Sequence, residues 1–104
     1  MINMQQIEEL GRRVVREFGT KRVVFFGSHA VGSPRIDSDI DLLVVAETSL
    51  PPLKRYGAVR RLLADYPAAF DIIVNTPEEY ERTRSVVNSI VNFAERTGRV
   101  LYAG

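Results

Sequence analysis

The sequence predicts an α/β (α+β) fold, a small mixed β-sheet with helices packed mainly on one face. Three observations lead there. Segments with apolar residues three and four apart alternate with short β-branched runs, the pattern of helices laid against strands. The run Leu42-Leu43-Val44-Val45-Ala46 is apolar on both faces, as a central strand is. Gly19, Gly27, Pro34, Pro51-Pro52 and Gly98 punctuate the chain between these segments.

Each element follows from its residues. Ile7, Leu10, Val14 and Phe18 form one stripe, so residues 4–18 are predicted to be a helix, with Asn3 and Gln6 set for a capping box and Gly19 as its end. Arg22-Val-Val-Phe-Phe26 reads as a strand running into Gly27. Residues 28–32 open a short helix or turn that Pro34 stops. Residues 40–46 read as the second strand. Residues 53–65 read as a helix with Leu53, Tyr56, Val59 and Leu63 inward and its basic residues mostly outward. Residues 69–75 are the third strand. Thr76-Pro77-Glu78-Glu79 combines a Thr cap, Pro at the first position and Glu three after the cap, starting a helix expected to reach about Arg96. Val100-Leu101-Tyr102 is a short strand or a tail.

Composition narrows the function. A chain of 104 residues is read as one domain, 1–104. It has no cysteine and one histidine, His29, which excludes disulfides, thiolate zinc sites and multi-histidine centres. The start, Met1 to Leu10, has no apolar core of a signal peptide, and no run is long enough to span a membrane, so a cytoplasmic protein is expected. A net charge of +1 gives no global case for nucleic-acid binding. Basic residues gather at Arg12, Arg13, Arg16, Lys21 and Arg22, and again at Lys54, Arg55, Arg60 and Arg61. These read as solvated faces without the aromatic platforms that single-stranded nucleic acid requires.

Carboxylates gather instead where no cation is. Residues 36–53 hold Asp37, Asp39, Asp41 and Glu47 and neither Lys nor Arg. Asp39 and Asp41 are two apart at a strand start, so they share a face with Cα atoms about 6.6 Å apart. Two carboxylates about 4 Å apart repel by roughly 4 kcal/mol at an effective dielectric near 20. Such a pair needs a metal ion or a distant cation to relieve it. Asp71 opens the third strand and completes a triad if strands two and three are neighbours. An EF-hand is excluded because Leu42 occupies the position that must be Gly. A Walker A loop fails for want of Gly-Lys-Ser/Thr after Gly27, and no GxGxxG exists. Gly27 permits unusual dihedrals, and Ser28 suits a helix cap whose free N–H groups can meet a phosphate.

Together these residues resemble the minimal nucleotidyltransferase (MNT) family of the DNA-polymerase-β-like superfamily. The matching residues are Gly27-Ser28-His29-Ala30-Val31-Gly32, Ser38-Asp39-Ile40-Asp41-Leu42 and Phe70-Asp71-Ile72-Ile73-Val74, and the likeness extends over nearly the whole chain. The resemblance implies a polymerase-β-like nucleotidyltransferase fold and transfer of AMP from ATP. It implies that Asp39 and Asp41 bind Mg²⁺, or Mn²⁺, that Asp71 joins them to hold a second ion and help activate the acceptor, and that Gly27 and Ser28 cradle the triphosphate. It implies a partner as well: relatives of this size resemble the antitoxin half of a pair whose toxin is an all-helical HEPN-type RNase, which the antitoxin adenylylates.

Once the sheet and helices are assigned, no segment remains for an acceptor-binding domain, which favours a protein acceptor over a small molecule such as an aminoglycoside. One departure stands out: Val31 occupies the place of the family's usual Arg. It motivates the alternative of a catalytically weak or inactive binding module that neutralises a partner by contact, with Tyr80, Phe93 and Tyr102 as contact candidates beside their ordinary reading as core. An oligomer is compatible with either.

Overall fold

A computed structural model describes residues 2–27, Ala30 and residues 39–104. Ser28, the turn expected at 28–32 with its stop at Pro34, and Val31 lie outside the described residues. Among those described, the order is α1 (Met4–Phe18), β1 (Thr20–Phe26), β2 (Ile40–Ala46), α2 (Pro52–Leu62), β3 (Phe70–Asn75), α3 (Pro77–Thr83), α4 (Ile90–Thr97) and β4 (Arg99–Ala103). The four strands form one sheet in the order β3-β2-β1-β4. β1 runs antiparallel to β2 and β4, and β2 runs parallel to β3. The parallel pair needs a crossover, which α2 supplies.

The helix starts obey local rules. Asn3 and Gln6 exchange two hydrogen bonds of 2.9 Å at the head of α1, and Gly19 at φ 59° closes it. Thr76 and Glu79 form the same box at α3, behind Pro77.

The strands alternate between two cores. On one face Val23, Phe25, Leu42, Val44 and Ile72 pack against Ile7, Leu10 and Val14 of α1 and Val59 of α2. On the other, Val24, Phe26, Leu43 and Val45 pack against Tyr80 of α3 and Val91 and Ala94 of α4. The two longer helices and the larger core lie on the first face. The second face is covered as well, by the two short helices.

Two local expectations are corrected, and one left open between two readings is decided. The helix expected from Pro77 to Arg96 is two helices. Asn88 adopts φ 74°, which Asn tolerates, and Ser89 starts α4 by accepting the Asn92 N–H at 3.0 Å. Ser89 Oγ also donates to the Thr83 carbonyl at 2.8 Å, tying the two helices together. The inward stripe of α2 holds at Val59 and Leu63, both fully buried, and fails at Leu53, which is 93% exposed, and at Tyr56, also exposed, whereas Arg55 is only 8% exposed. Arg55 Nε donates to the Leu50 carbonyl at 2.8 Å, and Nη1 donates to Glu79 Oε1 at 2.7 Å. A buried guanidinium is tolerable there because it is paired and hydrogen-bonded. Residues 100–102 belong to a true strand, β4, paired with β1.

Candidate active site

The carboxylates named from the sequence lie at one end of the sheet. In the parallel ladder Asp41 of β2 stands directly beside Asp71 of β3. Strand spacing puts such neighbours about 4.8 Å apart. On its other side Asp41 is paired with Phe26, the last residue of β1. Period-two alternation sends Asp41 and Asp71 to the face of α3 and α4, because Leu42 and Ile72 between them and their neighbours go to the α1 and α2 core. Asp39, exposed just ahead of β2, has the same parity.

Gly27 completes this corner. Its φ is +84°, a conformation in which a side chain is strained. A Cβ built there would overlap the Asp41 carboxylate at Oδ2. The glycine is therefore what lets the carboxylate lie across the end of β1. The Gly27 carbonyl then accepts the Ala30 N–H at 3.1 Å. This is a close-approach corner of backbone beside two hard oxygen donors.

No described cation is ion-paired with Asp39 or Asp71. Among the described residues no three Asp, Glu, His or Cys side chains are drawn into a metal-holding cluster. The backbone aligns Asp41 with Asp71, and the side chains are not closed around a common point.

Behind the carboxylates the same face carries a polar brace that sequence reasoning did not find. Glu95 of α4 accepts from Arg22 Nε at 2.7 Å and Nη2 at 2.8 Å, and from the Tyr80 hydroxyl at 2.6 Å. The Arg22 guanidinium, helped by the Tyr80 hydroxyl, holds the Glu95 carboxyl below the usual carboxylate range, against the opposing effect of burial. Burial and Glu95 push the Tyr80 phenol up. Glu79 is likewise held low, first by the Thr76 backbone N–H and then by Arg55. Arg22 and Glu95 are 73 positions apart, so no local pattern announces them. Tyr80 is core. Phe93 and Tyr102 are exposed, and Phe93 meets Phe26 edge to face with centroids 6.2 Å apart.

No helix is long and apolar enough to cross a membrane among the described residues.

Comparisons with known proteins agree with this architecture. The nucleotidyltransferase domain family matches residues 7–99. MJ0141 of Methanocaldococcus jannaschii, provisionally named a protein adenylyltransferase, is 30% identical over 74 residues, covering 69% of this chain and 73% of that protein. Among solved structures, one complex of tri-AMPylated Shewanella oneidensis HEPN toxin with MNT antitoxin contains a chain matched at TM-score 0.63 and 20% identity, over 97% of this chain and 74% of that one. A toxin–antitoxin structure with AMP-PNP matches at TM-score 0.67 and 20% identity, over 93% of this chain and 73% of the other. The chain therefore belongs to the nucleotidyltransferase family, with the polymerase-β-like fold seen in MNT antitoxin complexes.

Proposed function

We propose that this protein is a metal-dependent nucleotidyltransferase that transfers AMP from ATP to a protein acceptor, in the cytoplasm, as the antitoxin of a HEPN–MNT toxin–antitoxin pair. The observation that carries the reading is the register of Asp41 against Asp71, beside a glycine whose missing side chain makes room for the Asp41 carboxylate. The named relative and the AMP-PNP and AMPylated neighbours support it.

The donor set suits a hard divalent ion, since carboxylate oxygens are what Mg²⁺ and Mn²⁺ take. Asp39, Asp41 and Asp71 would hold two such ions. Convergence on them asks for side-chain rotation, because the backbone positions are already aligned. When bound, the ions neutralise phosphate charge and lower the pKa of an attacking hydroxyl. The chain's own residues do the rest. Gly27 and Ser28 would cradle the triphosphate. Asp71, on the edge strand, faces the acceptor and helps activate its hydroxyl. The acceptor oxygen bonds to the α-phosphorus, the bond from that phosphorus to the bridging oxygen breaks, and pyrophosphate leaves.

The test is label transfer from α-labelled ATP to the cognate HEPN-type partner, comparing the parent chain with Asp39→Asn, Asp41→Asn and Asp71→Asn. Loss of labelling with retained partner binding is expected. Undiminished labelling in Asp39→Asn or Asp41→Asn overturns the catalytic assignment. Val31, where the family usually has Arg, favours a second reading in which the domain neutralises its partner by contact. Full neutralisation by a triple Asp→Asn variant would establish that reading.

A further inference from the structure

Helix α4 has two sides that reach opposite ends of β1. Glu95 binds Arg22 near the start of the strand, and Phe93 packs on Phe26 at its end. Residues two apart on a helix point about 200° away from each other. Phe93 therefore faces the end of the sheet where Gly27, Asp41 and Asp71 lie, and Glu95 faces away from it. Ile90 and Arg96, three residues to either side of Phe93, flank it on that side. All three are exposed, Phe93 by 42%. With Asn88 and Ser89 they line a hollow of about 400 Å³.

We propose that this hollow on α4 receives the base of the nucleoside triphosphate, with the Phe93 ring as its stacking platform and the Arg96 guanidinium beside it. The proposal rests on the nucleotide reading above and adds where the nucleoside goes. Reach supports it. Phe26 is the ladder partner of Asp41, and its ring centroid is 6.2 Å from that of Phe93, so the platform lies one side chain beyond the carboxylates. Chemistry supports it too. An aromatic face, an aliphatic Ile90 and a guanidinium held by the Asn92 side chain at 2.8 Å suit a flat π-system. A stacking platform of this kind tolerates every base and favours purines through their larger face.

The test titrates Mg²⁺–ATP and Mg²⁺–tripolyphosphate into the full chain and into Phe93→Ala, Phe93→Leu and Phe93→Trp, with melting temperatures alongside. Leucine keeps volume against Phe26 without a π-face. Tryptophan restores the face. Affinity for ATP is expected to fall about tenfold in the Ala and Leu variants, the scale of one lost base–aromatic stack. It is expected to be retained in Phe93→Trp, with tripolyphosphate binding equal throughout. Equal ATP affinity in all variants overturns the base site. If acceptor labelling alone then falls, the hollow belongs to the acceptor protein and the proposal is overturned in that direction. A parent chain that binds tripolyphosphate as tightly as ATP also overturns it. A parent chain that binds neither removes the nucleotide reading itself.

Discussion

The two faces of the sheet are made by the same strands and do different work. Toward α1 and α2, Leu42, Val44, Val23, Phe25 and Ile72 meet apolar side chains. Toward α3 and α4, the apolar Val24, Phe26, Leu43 and Val45 share the face with polar groups. The Arg22–Glu95–Tyr80 brace sits at one end and the aligned aspartates at the other. A single residue of phase separates Asp41 from Leu42. The contrast teaches that strand parity alone can give one sheet an apolar face and a second face with polar groups at its ends.

Variants can break or sharpen that contrast. The largest effect is expected for Asp41→Asn: adenylyl transfer falls by about 10³-fold or more, the scale of several kcal/mol lost from transition-state charge stabilisation. Its urea midpoint should stay close to the parent's. Leu42→Ala, one residue away and fully buried, should do the reverse. It should cost about 3 kcal/mol in urea unfolding while leaving transfer per folded molecule unchanged. If the two variants lose both properties together, the faces are not separable.

A third variant probes the brace. Glu95→Gln removes a two-pronged partner from Arg22 and an acceptor from Tyr80, and should cost about 2 kcal/mol at neutral pH. Because Glu95 titrates below its unfolded value of about 4.3, its contribution is fully present above that pH. It fades as pH falls through the lower, folded value. The gap between parent and Glu95→Gln should therefore close on acidification, which unfolding curves at pH 7 and pH 3 would reveal. The smallest effect is expected for Arg82→Gln, whose partner Glu78 is 3.8 Å away on an exposed helix face. A change above about 0.5 kcal/mol there would contradict the surface character of that pair.

Much of this architecture was legible in the chain. The capping boxes at Asn3 and Thr76 and the strands ending at Phe26 and beginning at Ile40 all follow from residues a few positions apart. The break between α3 and α4 left a readable trace in Asn88-Ser89, a left-handed residue followed by a cap, overshadowed by the strong start at Thr76. The buried side of α2 was readable at Val59 and Leu63 but not in its first turns. Leu53 and Tyr56 fit an apolar stripe equally well, and only the carbonyls of Leu50 and Val74 and the carboxylate of Glu79 draw Arg55 inward.

By itself, the sequence determined most of the helix and strand segments and where most of them start. Those outcomes rest on periodicity, caps and turn residues acting within one or two turns of chain. Tertiary structure alone decided that β3 pairs with β2, which sets Asp71 beside Asp41 across 30 positions of chain. It also decided that Arg22 finds Glu95, that the second face is covered, and that Phe93 turns toward the site. Contacts of that range depend on which strand edges and helix faces close on one another, and loop closure leaves no mark in local residue order.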